Sequence, residues 1–145
     1  MRAVVQRVTE GKVTINDRLV GQTAAGYVVF LGIGQEDNEE KARKLAGKLL
    51  NLRIMADKNN KMNLSIQDTK GEILVISQFT LYGDTSKGHR PSFIKAAPPA
   101  KAEKLYNLFI TFLKKSGLRV EAGEFGAMMT VQLTNDGPVT IILEI

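Results

Sequence analysis
Apolar and polar residues alternate from the start of the chain through RAVVQRVTEGKVTINDRLVGQ, the period of a half-buried strand, with turn formers at Glu10-Gly11 and Asn16-Asp17. This pattern predicts antiparallel strands joined by hairpins. YVVFLGIG follows as an almost wholly apolar strand. Asp37 and Glu40 fit an N-cap and its reciprocal acid, and Ala42, Leu45, Ala46 and Leu49 recur at helical spacing, which predicts a helix running to about Met55. Beyond a polar turn region, EILVISQFTL reads as the most apolar strand, ending in Ser77, Gln78 and Thr80. A long loop, YGDTSKGHRPSFIKAAPP, leads to a second helix opened by Pro98-Pro99, with Ala102, Leu105, Tyr106, Phe109, Phe112 and Leu113 on one face. LRVEAGEF, AMMTVQLT and PVTIILEI are three further strands. About eight strands with two main helices make an α+β chain with mixed, largely antiparallel sheets.

At 145 residues, without repeat or linker, the chain is expected to be a single domain, 1–145. No apolar stretch reaches the roughly 18 to 20 residues of a membrane span, so a cytoplasmic protein is expected. The chain has no cysteine, which excludes disulfides and thiolate nucleophiles, and only one histidine, His89, so neither a metal nor another cofactor is expected. The net charge of +5 favours an anionic partner such as nucleic acid.

On a strand, Gln78 and Thr80 share one face and present an amide and a hydroxyl, with Ser77 opposite. A hydroxyl needs a neighbouring base to become a nucleophile, and His89 lies in a glycine- and lysine-containing loop that suits a solvated or phosphate-facing role better than a triad. KGHRPSFIK carries Lys87, Arg90 and Lys95, a surface suited to phosphates or to plain solvation. Arg7 in the middle of the first strand is a further oddity. NDGPVT, taken alone, reads as a turn.

In order and spacing, MRAVVQRV, SQFTL at Ser77 to Leu81, KGHRPSF and GPVT at Gly137 to Thr140 resemble the D-aminoacyl-tRNA deacylases, also called D-tyrosyl-tRNA deacylases. The resemblance runs from Met1 to Ile145. It implies a barrel-like fold in β/β/α layers and a homodimeric editing enzyme, with no cofactor and no membrane partner, that hydrolyses the ester joining a D-amino acid to the 3′ end of tRNA. By resemblance, Gly137 and Pro138 form a cis pair inserted into the other subunit's pocket for chiral selection. Ser77, Gln78, Phe79 and Thr80 match the catalytic wall. Arg7, Lys87, Arg90 and Lys95 become candidates for tRNA contact.

Selection by exclusion of an L side chain predicts that glycyl-tRNA is also accepted. The favoured chemistry is water attack aided by the ribose 2′-hydroxyl, with the carbonyl polarised by N–H groups around Phe79 and Thr80; a covalent Thr80 nucleophile is the alternative. Two rival readings are a related editing domain acting on an L-aminoacyl ester and a non-catalytic RNA-binding module. The latter fits poorly with a chain only 6% aromatic.

Overall fold
Strand β1 (Arg2–Ile15) organises the computed structural model, which describes residues 1–145. A turn at Asn16-Asp17, both at positive φ, leads into β2 (Arg18–Thr23), and β3 (Gly26–Gly32) follows. Residues 2–8 of β1 pair antiparallel with β3 and residues 11–15 with β2. Next come α1 (Glu39–Leu50), a small hairpin of β4 (Met55–Ala56) and β5 (Met62–Leu64), and a single turn, α2 (Ile66–Thr69). β6 (Glu72–Ser77) then runs parallel to β3, and α3 (Pro99–Lys114) crosses to β7 (Val120–Ala122), parallel to β6. The last strand, β8 (Thr130–Glu144), covers the free edge of β1.

The sheet order is β2-β1-β3-β6-β7, and the Gln22 N–H donates to Glu121 Oε2 at 2.7 Å, so β7 returns to β2 and nearly closes a barrel. Both long helices lie on one side of it. A core of 23 buried residues fills the space between them and the sheet, with Leu45, Leu49, Phe109 and Leu113 packed toward Ala3, Val5, Val29 and Val75. A smaller core of Val8, Val13, Val28, Leu74 and Ile76 fills the barrel interior. β3 and β6 are apolar at consecutive positions because both their faces are covered, each buried side chain contributing about 1.5 to 3 kcal/mol.

Several boundaries differ from the sequence pattern, each for a local reason. β1 passes straight through Glu10-Gly11; Gly11 serves close packing, since a Cβ there would lie 2.6 Å from Val28 Cγ2. Asn38, not Asp37, caps α1, accepting from the Lys41 N–H at 3.0 Å. The helix stops at Leu50 rather than near Met55, and the Asn51 side chain donates to the Gly47 carbonyl at 2.8 Å. β6 ends at Ser77, and Phe79–Tyr82 coils into a 3-10 helix. AMMTVQLT and PVTIILEI contribute to one strand, β8, so NDGPVT is not a turn between two strands.

Asp37 is free of capping because it lies 3% exposed beneath the end of β3 and binds the Met1 ammonium at 2.6 Å. It also accepts from the Gly34 N–H at 2.7 Å, Lys41 Nζ at 3.3 Å and the Tyr82 hydroxyl at 3.2 Å. Burial pushes this carboxyl up, but the ammonium, Gly34 and Lys41 outweigh burial and hold it below its ordinary value. Its ionised form therefore stabilises the fold above about pH 4, and that contribution is lost as pH falls through the lowered folded value. Asp37→Asn leaves a buried ammonium without its counter-charge and is expected to cost about 3 to 5 kcal/mol at pH 7. Urea unfolding of both proteins at pH 7 and pH 3 checks this: the gap between them narrows at the lower pH.

Candidate active site
Ser77 closes β6, and the Gln78 N–H still reaches the Leu31 carbonyl at 2.8 Å before the chain turns into the 3-10 helix. Gln78 and Thr80 therefore do not share a strand face. The turn nevertheless brings their side chains together, with Gln78 Nε2 donating to Thr80 Oγ1. An amide has no basic atom in either orientation, so this partner does not activate the Thr80 hydroxyl as a nucleophile. As the first residues of the 3-10 helix, Phe79 and Thr80 have backbone N–H groups with no acceptor in the chain. Both residues are exposed, which makes their free N–H groups candidate donors to an incoming carbonyl oxygen.

Gly137 and Pro138 lie in a bulge of β8. Val8 pairs with Asn135 and Gln6 with Thr140, so residues 136 to 139 stand opposite Arg7 alone. The Gly137-Pro138 peptide is cis, and both residues are exposed. Asn135 ties the base of the bulge, its Nδ2 donating to the Arg7 carbonyl at 2.8 Å and the Val139 carbonyl at 2.9 Å. Arg7 lies beneath: Nη1 donates to the Ile54 carbonyl at 2.8 Å, and Nε is 2.8 Å from Asp136 Oδ2, an ion pair whose alignment falls short of a hydrogen bond. With its side chain only 12% exposed, Arg7 is placed to hold the bulge rather than to meet a phosphate. Asn135 and Asp136 are the residues that motif reading passed over. The available signal was Arg7 itself, a cation in step with the core residues Ala3 and Val5.

One copy of the chain does not bring the two motifs together. Ser77, Leu31, Ala3 and Leu143 form one cross-strand row, whereas Gly137 lies opposite Arg7, four residues further along β1. Three strand spacings and four residue rises put the motifs about 14 Å apart across the sheet and about 13 Å along it.

The KGHRPSF loop folds against the 3-10 helix through an edge-to-face contact of Phe79 with Phe93, 5.0 Å between centroids. Asp84 anchors the loop. Bonds from Ser86, and then from Lys95, hold its carboxyl well below the usual carboxylate range. Lys95 is thus engaged, its Nζ 3.1 Å from Asp84 Oδ2, while Lys87, His89 and Arg90 stand exposed at the tip. No group of three or more His, Asp or Glu side chains converges to hold a metal.

A pair of free N–H donors on exposed residues, beside a hydroxyl and an amide and with no general base, suits the polarisation of an already labile carbonyl. Residues 4–144 match the model of the D-Tyr-tRNA(Tyr) deacylase family. The chain belongs to that family. A D-aminoacyl-tRNA deacylase of Thermotoga petrophila is 54% identical over 144 residues, covering 99% of this chain and 97% of the relative. The Halothermothrix orenii protein of the same description is 56% identical with the same coverage. Among solved structures, the c-Myc DNA unwinding element binding protein superposes with a TM-score of 0.93 at 42% identity, covering 99% of this chain and 98% of that one. A probable eukaryotic D-amino acid tRNA deacylase shares the fold, with a TM-score of 0.89 at 20% identity and the same coverage.

Gly137 has a φ of +119°, and a Cβ there would lie 2.7 Å from Val139 Cγ2 and 3.1 Å from Arg7 Nη2. Gly137→Ala is therefore expected to strain the bulge by about 1 to 3 kcal/mol and lower the Tm by roughly 3 to 10 °C. Thermal unfolding checks this; an unchanged Tm would mean that the bulge accommodates a side chain without moving Arg7.

Proposed function
We propose that this protein is a tRNA-editing hydrolase that cleaves the ester of D-aminoacyl-tRNA, and of glycyl-tRNA, while rejecting L-aminoacyl esters. Family membership across residues 4–144 carries the reading, and the free donors at Phe79 and Thr80 supply its chemistry. Water attacks the ester carbonyl carbon, and the oxygen that becomes negative is held by the two N–H groups. The bond from that carbon to the ribose 3′ oxygen then breaks, the ribose oxygen takes a proton, and free amino acid and tRNA leave. The substrate's 2′-hydroxyl assists the attack, since Thr80 has only an amide beside it. Donors of this kind are typically worth about 10² to 10³ in rate. Lys87 and Arg90, free at their loop tip beside Phe93, are the favoured phosphate contacts of the four cations named from sequence.

The reading includes a homodimer in which Gly137 and Pro138 of one copy complete the catalytic wall of the other. Two observations support it: the separation of the motifs within one chain, and the surface of β8. That strand runs 15 residues with only β1 for a partner, and its Ile142 is 71% exposed. A backbone wall at Gly137 leaves no room for an L side chain but tolerates a hydrogen, which is why glycine passes.

The decisive experiment measures release of amino acid from D-tyrosyl-, L-tyrosyl- and glycyl-tRNA. Release from the D and glycyl esters alone is expected; it persists in Thr80→Ala and fails on tRNA ending in 2′-deoxyadenosine. Release from the L ester would overturn the selectivity, and none from any ester would overturn the function. Subunit mixing tests the shared site. Gln78→Ala and Gly137→Ala proteins, each weak alone, regain activity when exchanged into heterodimers, because one of the two sites then has both halves intact. No recovery would place each site within one subunit.

A further inference from the structure
The 3-10 helix that offers the free amides is gripped at its far end by residues that lie outside both motifs. Arg2 Nη1 donates to the Leu81 carbonyl at 3.1 Å, and its guanidinium lies over the Tyr82 ring, 4.9 Å from the centroid. Arg2 is itself fixed by Glu144, with Nε 2.8 Å from Oε1. From the other side the Tyr82 hydroxyl donates to Asp37 Oδ2 at 3.2 Å, the same oxygen that takes the Gly34 N–H at 2.7 Å. Beneath the helix lie two residues without side chains, Gly32 at the end of β3 and Gly34 just past it. A Cβ on Gly32 would lie 3.0 Å from Leu81 Cβ and 3.1 Å from the Gln78 carbonyl oxygen, and one on Gly34 would lie 2.7 Å from the Tyr82 hydroxyl.

Resting on the deacylase reading, we propose that Arg2, Asp37 and Tyr82 are positioning residues for ester hydrolysis, a clamp that sets the direction of the Phe79 and Thr80 amides. A short 3-10 helix has too few internal bonds to hold its own orientation, and here its bed is backbone. The three contacts fall on Leu81 and Tyr82, adjoining the two residues whose donors must point at the developing oxyanion. Burial, and then the Asp37 charge, pushes the Tyr82 phenol far above its ordinary value, so it remains a donor at working pH. Stability alone does not require this Tyr82 bond: Asp37 keeps the Met1 ammonium, Gly34 and Lys41 without it.

Donors of an oxyanion hole act on charge that exists only in the transition state, so misdirecting them lowers kcat and leaves KM alone. The test compares wild type, Tyr82→Phe and Arg2→Gln on D-tyrosyl-tRNA, with kcat, KM and Tm measured for each. Tyr82→Phe keeps the ring and loses one bond. It is expected to lower kcat about 10- to 100-fold, the scale of a small misplacement at a reacting centre. KM should stay within about twofold, as for loss of a transition-state contact, with Tm nearly unchanged and the D-over-L ratio preserved. Arg2→Gln should act in the same direction, and the double variant should lose less than the product of the two, because both act on one segment. Unchanged kcat in Tyr82→Phe, or a higher KM at constant kcat, overturns the clamp while the active wild type upholds the deacylase reading. An inactive wild type overturns both.

Discussion
β1 pairs with three strands, and its ladder with the last of them does not run unbroken. Along one edge it serves β3 and then β2, and along the other it carries β8 for almost its whole length. Between Gln6 and Glu10 the register to β8 slips twice. Four residues of β8 stand out from the sheet there, and the Gly137-Pro138 pair lies among them. The exposure of that motif is thus a product of strand pairing rather than of a loop, and strand pairing is far stiffer. Asn135 turns the slip into a defined shape by bonding the Arg7 and Val139 carbonyls at its base, while Arg7, anchored to the Ile54 carbonyl, pairs its charge with Asp136.

The same strand supplies the support for the other motif. Arg2, five residues before Arg7, reaches the 3-10 helix, while Ala3 and Val5 bury the sheet against the helices. Because Leu31 pairs with both Ala3 and Ser77, the place where β6 gives way to the 3-10 helix is fixed relative to β1 through one intervening strand. Rigid secondary structure therefore holds both motifs, and the exposed basic tip of the KGHRPSF loop is the more adaptable part of the surface.

The large elements were legible in the sequence because their signals are local. The period-3.6 face of α3, its opening prolines and the alternation in β1 and β2 need no knowledge of distant residues. Boundaries failed wherever a distant group decided them. Asp37 looks like a cap until a buried ammonium claims it, and Asn38 then takes the role. NDGPVT looks like a turn because its residue types favour one, yet pairing with β1 on both sides keeps it within β8. SQFTL looks like strand because nothing in its composition records that Gly32 and Gly34 leave room for a coil above them. The motif residues themselves were readable, but the partners that aim them were not: Asp136 is 129 positions from Arg7, and Asp37 is 45 from Tyr82.

The arrangement also explains how hydrolysis proceeds with so little conventional machinery. An aminoacyl ester beside an ammonium group is already reactive, so the protein need only stabilise charge and select substrates. In the proposed mechanism, backbone amides at Phe79 and Thr80 perform the first task without a titrating group, and their strength depends on direction alone. In the same proposal, backbone at Gly137 performs the second. Neither proposed role depends on the identity of the substrate side chain, so one site is expected, on this proposal, to serve many D-amino acids. Geometry rather than side-chain chemistry is then the quantity to be preserved, which accounts for the buried ions and close glycine contacts around two short exposed segments.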